Sequence, residues 1–247
     1  MAAYPESEAA QRALVGDGWV FESDYAEKAG PEWLDESLER WAELDATVRR
    51  VGPMGDDGSE CIPIKAFANA TTCLVSILIH IGATRTKFIR DDLNMRLEQV
   101  RTKYAERGEQ PEDVVSAVDA DYALRDPIMH LKRGISFIAL MLDKFCSTDW
   151  SLRAAAKDAY SVTLGIHHGW SVRSAVKLAL YALPSRDTFL ETLSPGDKEQ
   201  ARVKLHKLFA YVWPRALFLN SLYAARDYDD QLPGDASVSG TAPSIED

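Results

Sequence analysis

The strongest constraint on this chain is the stretch 126–145, where Ile128, Leu131, Ile135, Ile138, Leu142 and Phe145 fall at alternating steps of three and four. That spacing draws one apolar stripe along a helix of 3.6 residues per turn. A long stripe of this kind has to be covered by other elements. Beside it run His130, Phe137 and Met141, with Arg133 at the polar end. Nowhere does the chain alternate apolar and polar residues for long enough to make a strand with one buried face.

The other segments read as helices too. Trp33, Leu34, Leu38, Trp41, Leu44 and Val48 recur at helical steps from Pro31 onward. Residues 63–81 are apolar on most sides, which suits a central helix. Further helices are expected over 91–106, 111–124, 151–166, 171–183 and 195–223, the last with Pro214 as a candidate kink. Residues 52–58 read as a loop. The expectation is an all-α domain of about eight helices over 31–226. Residues 1–30 have few anchors (Leu14, Trp19, Val20, Phe21) and read as a weakly structured extension. Residues 227–247 read as a disordered acidic tail.

At 247 residues the chain can bury a sizeable core. Its net charge of −10 argues against general nucleic-acid binding, which needs a basic stripe. Cys61, Cys73 and Cys146 have neither zinc-ligand spacing nor a disulfide framework, so a reducing compartment is expected. The N-terminus lacks the pattern of a signal peptide, and the apolar run 73–81 is too short to span a bilayer. A soluble, cytoplasmic protein is expected.

Chemistry concentrates at Leu164-Gly165-Ile166-His167-His168-Gly169-Trp170, a Gly-punctuated junction between two helical patterns. Adjacent histidines point to different faces of a helix and rarely share a metal, so a metal site is not expected. An acid/base site, a polar ligand contact and a plain helix-capping histidine all remain open here. Asp92, Arg96 and Gln99 share one helix face. They form either a surface ion pair or a site in which Asp92 accepts a ligand donor and Arg96 holds an anion. His130 and Arg133 mark either a helix edge or a polar pocket above an apolar interior. No nucleophile elbow, Walker loop, dinucleotide turn or kinase signature occurs, so no enzyme and no cofactor is expected.

Taken together, these stretches resemble the glycolipid transfer protein family over residues 62–223, roughly two thirds of the chain. Leu131-Lys132-Arg133-Gly134-Ile135-Ser136-Phe137 is similar to the family's LKRGLxF segment. His168-Gly169-Trp170 with Ala179-Leu180-Tyr181-Ala182-Leu183-Pro184 is similar to its HGW…ALYAxP stretch. Ile62-Pro63, Ala66-Phe67, Gly82 and Asp92 follow the family's order.

The resemblance implies a two-layer helical sandwich enclosing a tunnel for ceramide chains, and transfer of a sphingolipid between membranes. Asp92 takes the place of the aspartate that accepts the ceramide amide N–H. His168 takes that of the histidine donating to the acyl carbonyl. Leaving either lipid group desolvated and unpaired would cost roughly 1–3 kcal/mol. Phe137, Met141, Leu164, Val176 and Phe209 are expected along the tunnel, and Trp170 and Tyr181 at the membrane surface.

The family's sugar-binding members have asparagine at the Arg96 position, lysine at Gln99 and a stacking tryptophan at His130. Its ceramide-1-phosphate branch has a basic residue at Arg96, an arginine at His130 and another at Asp126. Arg96 with Arg133, and His130 if protonated, favours a phosphate head group; Arg125, Arg85 or Arg90 are candidates to complete the clamp. Ceramide-1-phosphate or a related anionic sphingolipid is therefore expected before a neutral glycosphingolipid. A sphingolipid-sensing adaptor that binds without transferring is the rival from another class.

Overall fold

A computed structural model describes residues 7–26, 28, 30–51, 59–82 and 86–229. The expected loop at 52–58, Arg85 and the tail from 230 onward lie outside the described residues. The helices are α1 (Glu8–Val15), α2 (Ser23–Ala26), α3 (Gly30–Thr47), α4 (Ile64–Val75), α5 (Ile77–Gly82), α6 (Lys87–Glu106) and α7 (Val114–Ala120). They continue with α8 (Tyr122–Ser147), α9 (Leu152–Val162), α10 (Leu164–His167), α11 (Trp170–Tyr181), α12 (Arg186–Leu193) and α13 (Lys198–Ala224). One short antiparallel pair, β1 (Arg49–Val51) with β2 (Ser59–Cys61), joins α3 to α4 in the register Arg49↔Cys61.

Two layers result. Helices α3, α4, α12 and α13 pack among themselves, while α6, α7 and α9 gather around α8 and α1 lies against α6. The layers meet where α8 crosses α13 and where α4 touches α6 and α8. The periodic stripe in α8 is only part of what it buries: every residue from Gly134 to Asp143 is buried. A helix covered on all sides is a central one, so α8 is the axis of the domain. The apolar stretch Ile64–Gly82 is long enough to cross a membrane by composition, yet 72% of its most apolar window is buried inside the fold.

Three buried polar side chains stitch the layers together. Lys132 Nζ donates to Asn220 Oδ1 at 3.0 Å, and Asn220 Nδ2 donates to Ser136 Oγ at 2.9 Å. Each group buried here has a partner, which is what makes such burial tolerable.

The structure differs from the sequence expectations in several places. Residues 8–26 are built into the core: Val15, Trp19, Val20, Phe21 and Tyr25 are buried, and Arg101 donates to the Val20 carbonyl and stacks over Phe21. Sparse anchors suffice because they are large aromatic ones. Residues 186–193, left between helices by periodicity, form α12, started by Ser185, whose hydroxyl caps Thr188 N–H. The expected helix over 151–166 breaks at Thr163 (φ −118°, ψ −94°) into α9 and α10. Asp229, placed by composition in the tail, is buried against α8.

Candidate functional site

The residues singled out on three separate stretches converge on one end of the α6–α8 contact. Gly134 makes that convergence possible. A Cβ there would lie 2.4 Å from Leu93 Cδ2, so glycine lets α8 close on α6 at this level without displacing the buried Leu93 side chain. The faces carrying Asp92, Arg96 and Gln99 on α6, and Asp126, His130 and Arg133 on α8, are thereby brought together.

Arg96 is the centre of the cluster. Its Nη1 donates to Gln99 Oε1 and to Asp126 Oδ2, each at 3.3 Å, and its Nε is 3.9 Å from Asp92 Oδ1. That Nε is buried and has no hydrogen-bond acceptor among the described residues. A buried guanidinium N–H without an acceptor is costly unless a ligand supplies one. His130 Nδ1 lies 2.9 Å from the Asp126 carbonyl oxygen and 3.8 Å from its carboxylate.

His168 reaches the cluster from the α10–α11 junction. Gly165 allows it: a Cβ there would meet the Tyr160 carbonyl oxygen at 2.7 Å, so α10 can fold back tightly on α9. The Tyr160 hydroxyl then lies 2.8 Å from His168 Nδ1. Burial lowers the basicity of His168, and Arg133, Arg173 and His130 lower it further, while Asp92 opposes them. A neutral imidazole results. If the hydroxyl donates to Nδ1, the neutral ring carries its proton on Nε2 and can donate a hydrogen bond from there. Arg173 Nε holds the same junction by donating to the His168 carbonyl at 2.6 Å.

The other expected head-group residues are engaged elsewhere. Arg133 makes two bonds to Asp229, at 2.9 and 2.5 Å. Arg125 turns away, donating to the carbonyls of Val118 and Asp119 and covering the Tyr228 ring at 3.8 Å. Arg90 pairs with Glu22 at 2.9 Å, tying α6 to the N-terminal segment. Sequence reasoning missed Tyr160 and Asp229, because neither has a spacing that relates it to the motif it supports.

Below this polar end, Phe137, Met141, Leu164, Val176 and Phe209 are all buried in one continuous apolar core. Phe137 meets Tyr160 edge-on at 6.4 Å, linking core and polar end. On the outside, Trp170 opens α11 with 84% of its surface exposed, and Leu178 and Tyr181 are exposed on the same helix.

The sequence model of the glycolipid transfer protein (GLTP) family matches residues 62–195, more than half of the chain. The chain belongs to the glycolipid transfer protein family. Canine pleckstrin homology domain-containing family A member 8 is 31% identical over 151 residues, covering 57% of this chain and 29% of that protein. Rat ceramide-1-phosphate transfer protein is 33% identical over 87 residues, covering 34% of this chain and 40% of that protein. These matches span less than half of either relative. Mouse ceramide-1-phosphate transfer protein, in its apo crystal form, shares the fold with a TM-score of 0.66 at 25% identity, covering 81% of this chain and 99% of that one. The all-helical GLTP fold is thus established by sequence and by architecture together.

Proposed function

We propose that this protein binds a single sphingolipid and carries it between membranes, without chemical change to the lipid. The observation that carries the reading is the meeting of Asp92, Arg96 and His168 at one polar end above an apolar core. Asp92 is an acceptor for an amide N–H, and His168 Nε2–H is a donor for an amide carbonyl. A ceramide amide presents that pair side by side. A lipid that left either group unpaired on desolvation would be discriminated against by roughly 1–3 kcal/mol.

Arg96 favours a phosphorylated head, with ceramide-1-phosphate the parent of that class. The cation of Arg96 at the polar end supports this, as does the name of the rat relative. A neutral sugar head is the weaker fit, because the half-buried His130 is the ring on the α8 face of the cluster and its Nδ1 is bonded to Asp126. The hydrocarbon chains enter the apolar interior along Phe137, Met141, Leu164, Val176 and Phe209. Trp170 and Tyr181 rest at the membrane surface, their rings apolar and their N–H or O–H wet. The protein works in the cytoplasm, meeting membranes transiently.

The test is transfer of a fluorescent sphingolipid between vesicles, comparing wild type with Asp92→Val and Trp170→Ala. The expected result is loss of lipid selection in the first and slowed membrane exchange in the second. Equal transfer by Asp92→Val and wild type would refute amide recognition. Tight lipid binding with negligible transfer would favour a sensor that holds its lipid.

A further inference from the structure

Beside Asp92, assigned above to the ceramide amide, the head-group end carries a second carboxylate, Asp126, which a clamp for a doubly charged phosphate would not have. Asp126 Oδ2 lies 3.3 Å from Arg96 Nη1, and Asp92 Oδ1 lies 3.9 Å from Arg96 Nε. Neighbouring guanidinium groups are bound to other acceptors: Arg133 to Asp229, Arg125 to two backbone carbonyls and Arg90 to Glu22. A phosphomonoester carries nearly two negative charges at neutral pH. Seated on Arg96, it would face both carboxylates, and juxtaposed like charges weaken binding severely. A phosphodiester carries one charge. If its second arm ends in a cation, Asp126 changes from a repulsive neighbour into a partner.

We propose that the preferred ligand is a sphingolipid with a zwitterionic phosphodiester head ending in a primary ammonium, as in a phosphoethanolamine head. The proposal rests on the sphingolipid reading above and narrows it. The phosphate bonds Arg96, including its acceptor-less Nε, and the ammonium bonds Asp126. Asp92 is left for the ceramide amide. Arg96 and Asp126 are an opposite-charge pair at short range, with side chains 19% and 39% exposed. A head whose phosphate and ammonium are two carbons apart can lie antiparallel to that pair and exchange one internal contact for two. A primary ammonium is favoured over a quaternary one because it has N–H donors for a carboxylate. A quaternary group is recognised by aromatic faces, and here Tyr160 bonds His168 while Arg125 covers Tyr228.

The experiment measures transfer by the full chain from phosphatidylcholine vesicles carrying one of four lipids with the same fluorescent acyl chain. These are ceramide phosphoethanolamine, ceramide-1-phosphate, sphingomyelin and glucosylceramide. Wild type is expected to move the phosphoethanolamine lipid at least about tenfold faster than ceramide-1-phosphate, the repulsion being reduced by solvent because the Asp126 side chain is 39% exposed. Asp126→Asn, nearly the same shape, should erase that preference, and Asp126→Arg should reverse it. Ceramide-1-phosphate moving as fast in wild type, sphingomyelin or glucosylceramide leading, or an unchanged order in Asp126→Asn would each overturn the head-group assignment while leaving sphingolipid transfer standing. Failure of folded wild type to move any of the four would overturn the sphingolipid reading and this one with it.

Discussion

Asn in place of Asp229 would remove the carboxylate that closes the C-terminal segment over α8. Asp229 is 3% exposed, with one oxygen 2.6 Å from Lys132 Nζ and the other 2.5 Å from Arg133 Nη2. Burial alone would raise its pKa, but the hydrogen bonds and charges of Arg133 and Lys132 outweigh that and hold it at about 2. Against its unfolded value of 3.8, this corresponds to roughly 2 kcal/mol of stability at neutral pH. Lys132 is 1% exposed, so Asp229→Asn also takes a counter-charge from a buried ammonium that still donates to Asn220, a loss of at most about 3–5 kcal/mol. The expected cost at pH 7 therefore lies between about 2 and 5 kcal/mol.

The pH dependence has a fixed sign. A depressed carboxylate pKa gives stability that is full above the unfolded value and is lost as pH falls through the folded one. About 1 kcal/mol of the wild-type advantage should be gone near pH 3, most of the rest by pH 2 and all of it near pH 1. Urea unfolding of both proteins at several pH values, followed by circular dichroism, reads this directly. A deficit under about 0.5 kcal/mol at pH 7, or one that does not shrink between pH 5 and pH 3, would refute the argument.

Gly134→Ala should destabilise the fold by roughly 1–3 kcal/mol and weaken lipid binding, because its methyl forces the buried Leu93 side chain out of its place between α6 and α8; denaturation midpoints and a binding titration check both. Tyr160→Phe should leave the fold intact and weaken lipid binding by about 1 kcal/mol, since His168 loses the hydrogen bond that keeps its proton on Nε2. Burial lowers the pKa of His80 to about 4, so the folded state disfavours its charge and stability should fall as pH drops from 6.5 toward 4. Replacing it with Phe should flatten that slope in pH-dependent thermal melts, and an unchanged slope would remove His80 as its source.

The helices that bear the site were readable because their apolar periodicity is local. Ile128 to Phe145 draws α8, and the same rule placed α3, α6 and α11 to within a few residues. Residues 8–26 and 186–193 were not readable by that rule, since each is anchored by a few large side chains or a single cap. The short β1–β2 pair is too brief for alternation to register. In the site, Asp92 with Arg96 was legible from helical spacing, and His168 from its Gly-flanked motif. The role of Tyr160 was not, because the chain turns sharply at Thr163 between it and His168.

The sequence by itself determined that the chain is helical and which polar side chains stand out from apolar surroundings. Those are properties of spacing and composition, and they need no partner. That α8 rather than the apolar stretch 63–81 is the axis was decided by packing. Only the tertiary structure decided what each charge faces. Arg133, Arg125 and Arg90 are all cations in the sequence, yet folding delivers each to a different acceptor. Arg96 is placed between Asp92 and Asp126 because glycine at 134 lets two helices approach. Charge acts through distance, and distances between residues thirty positions apart are set by packing.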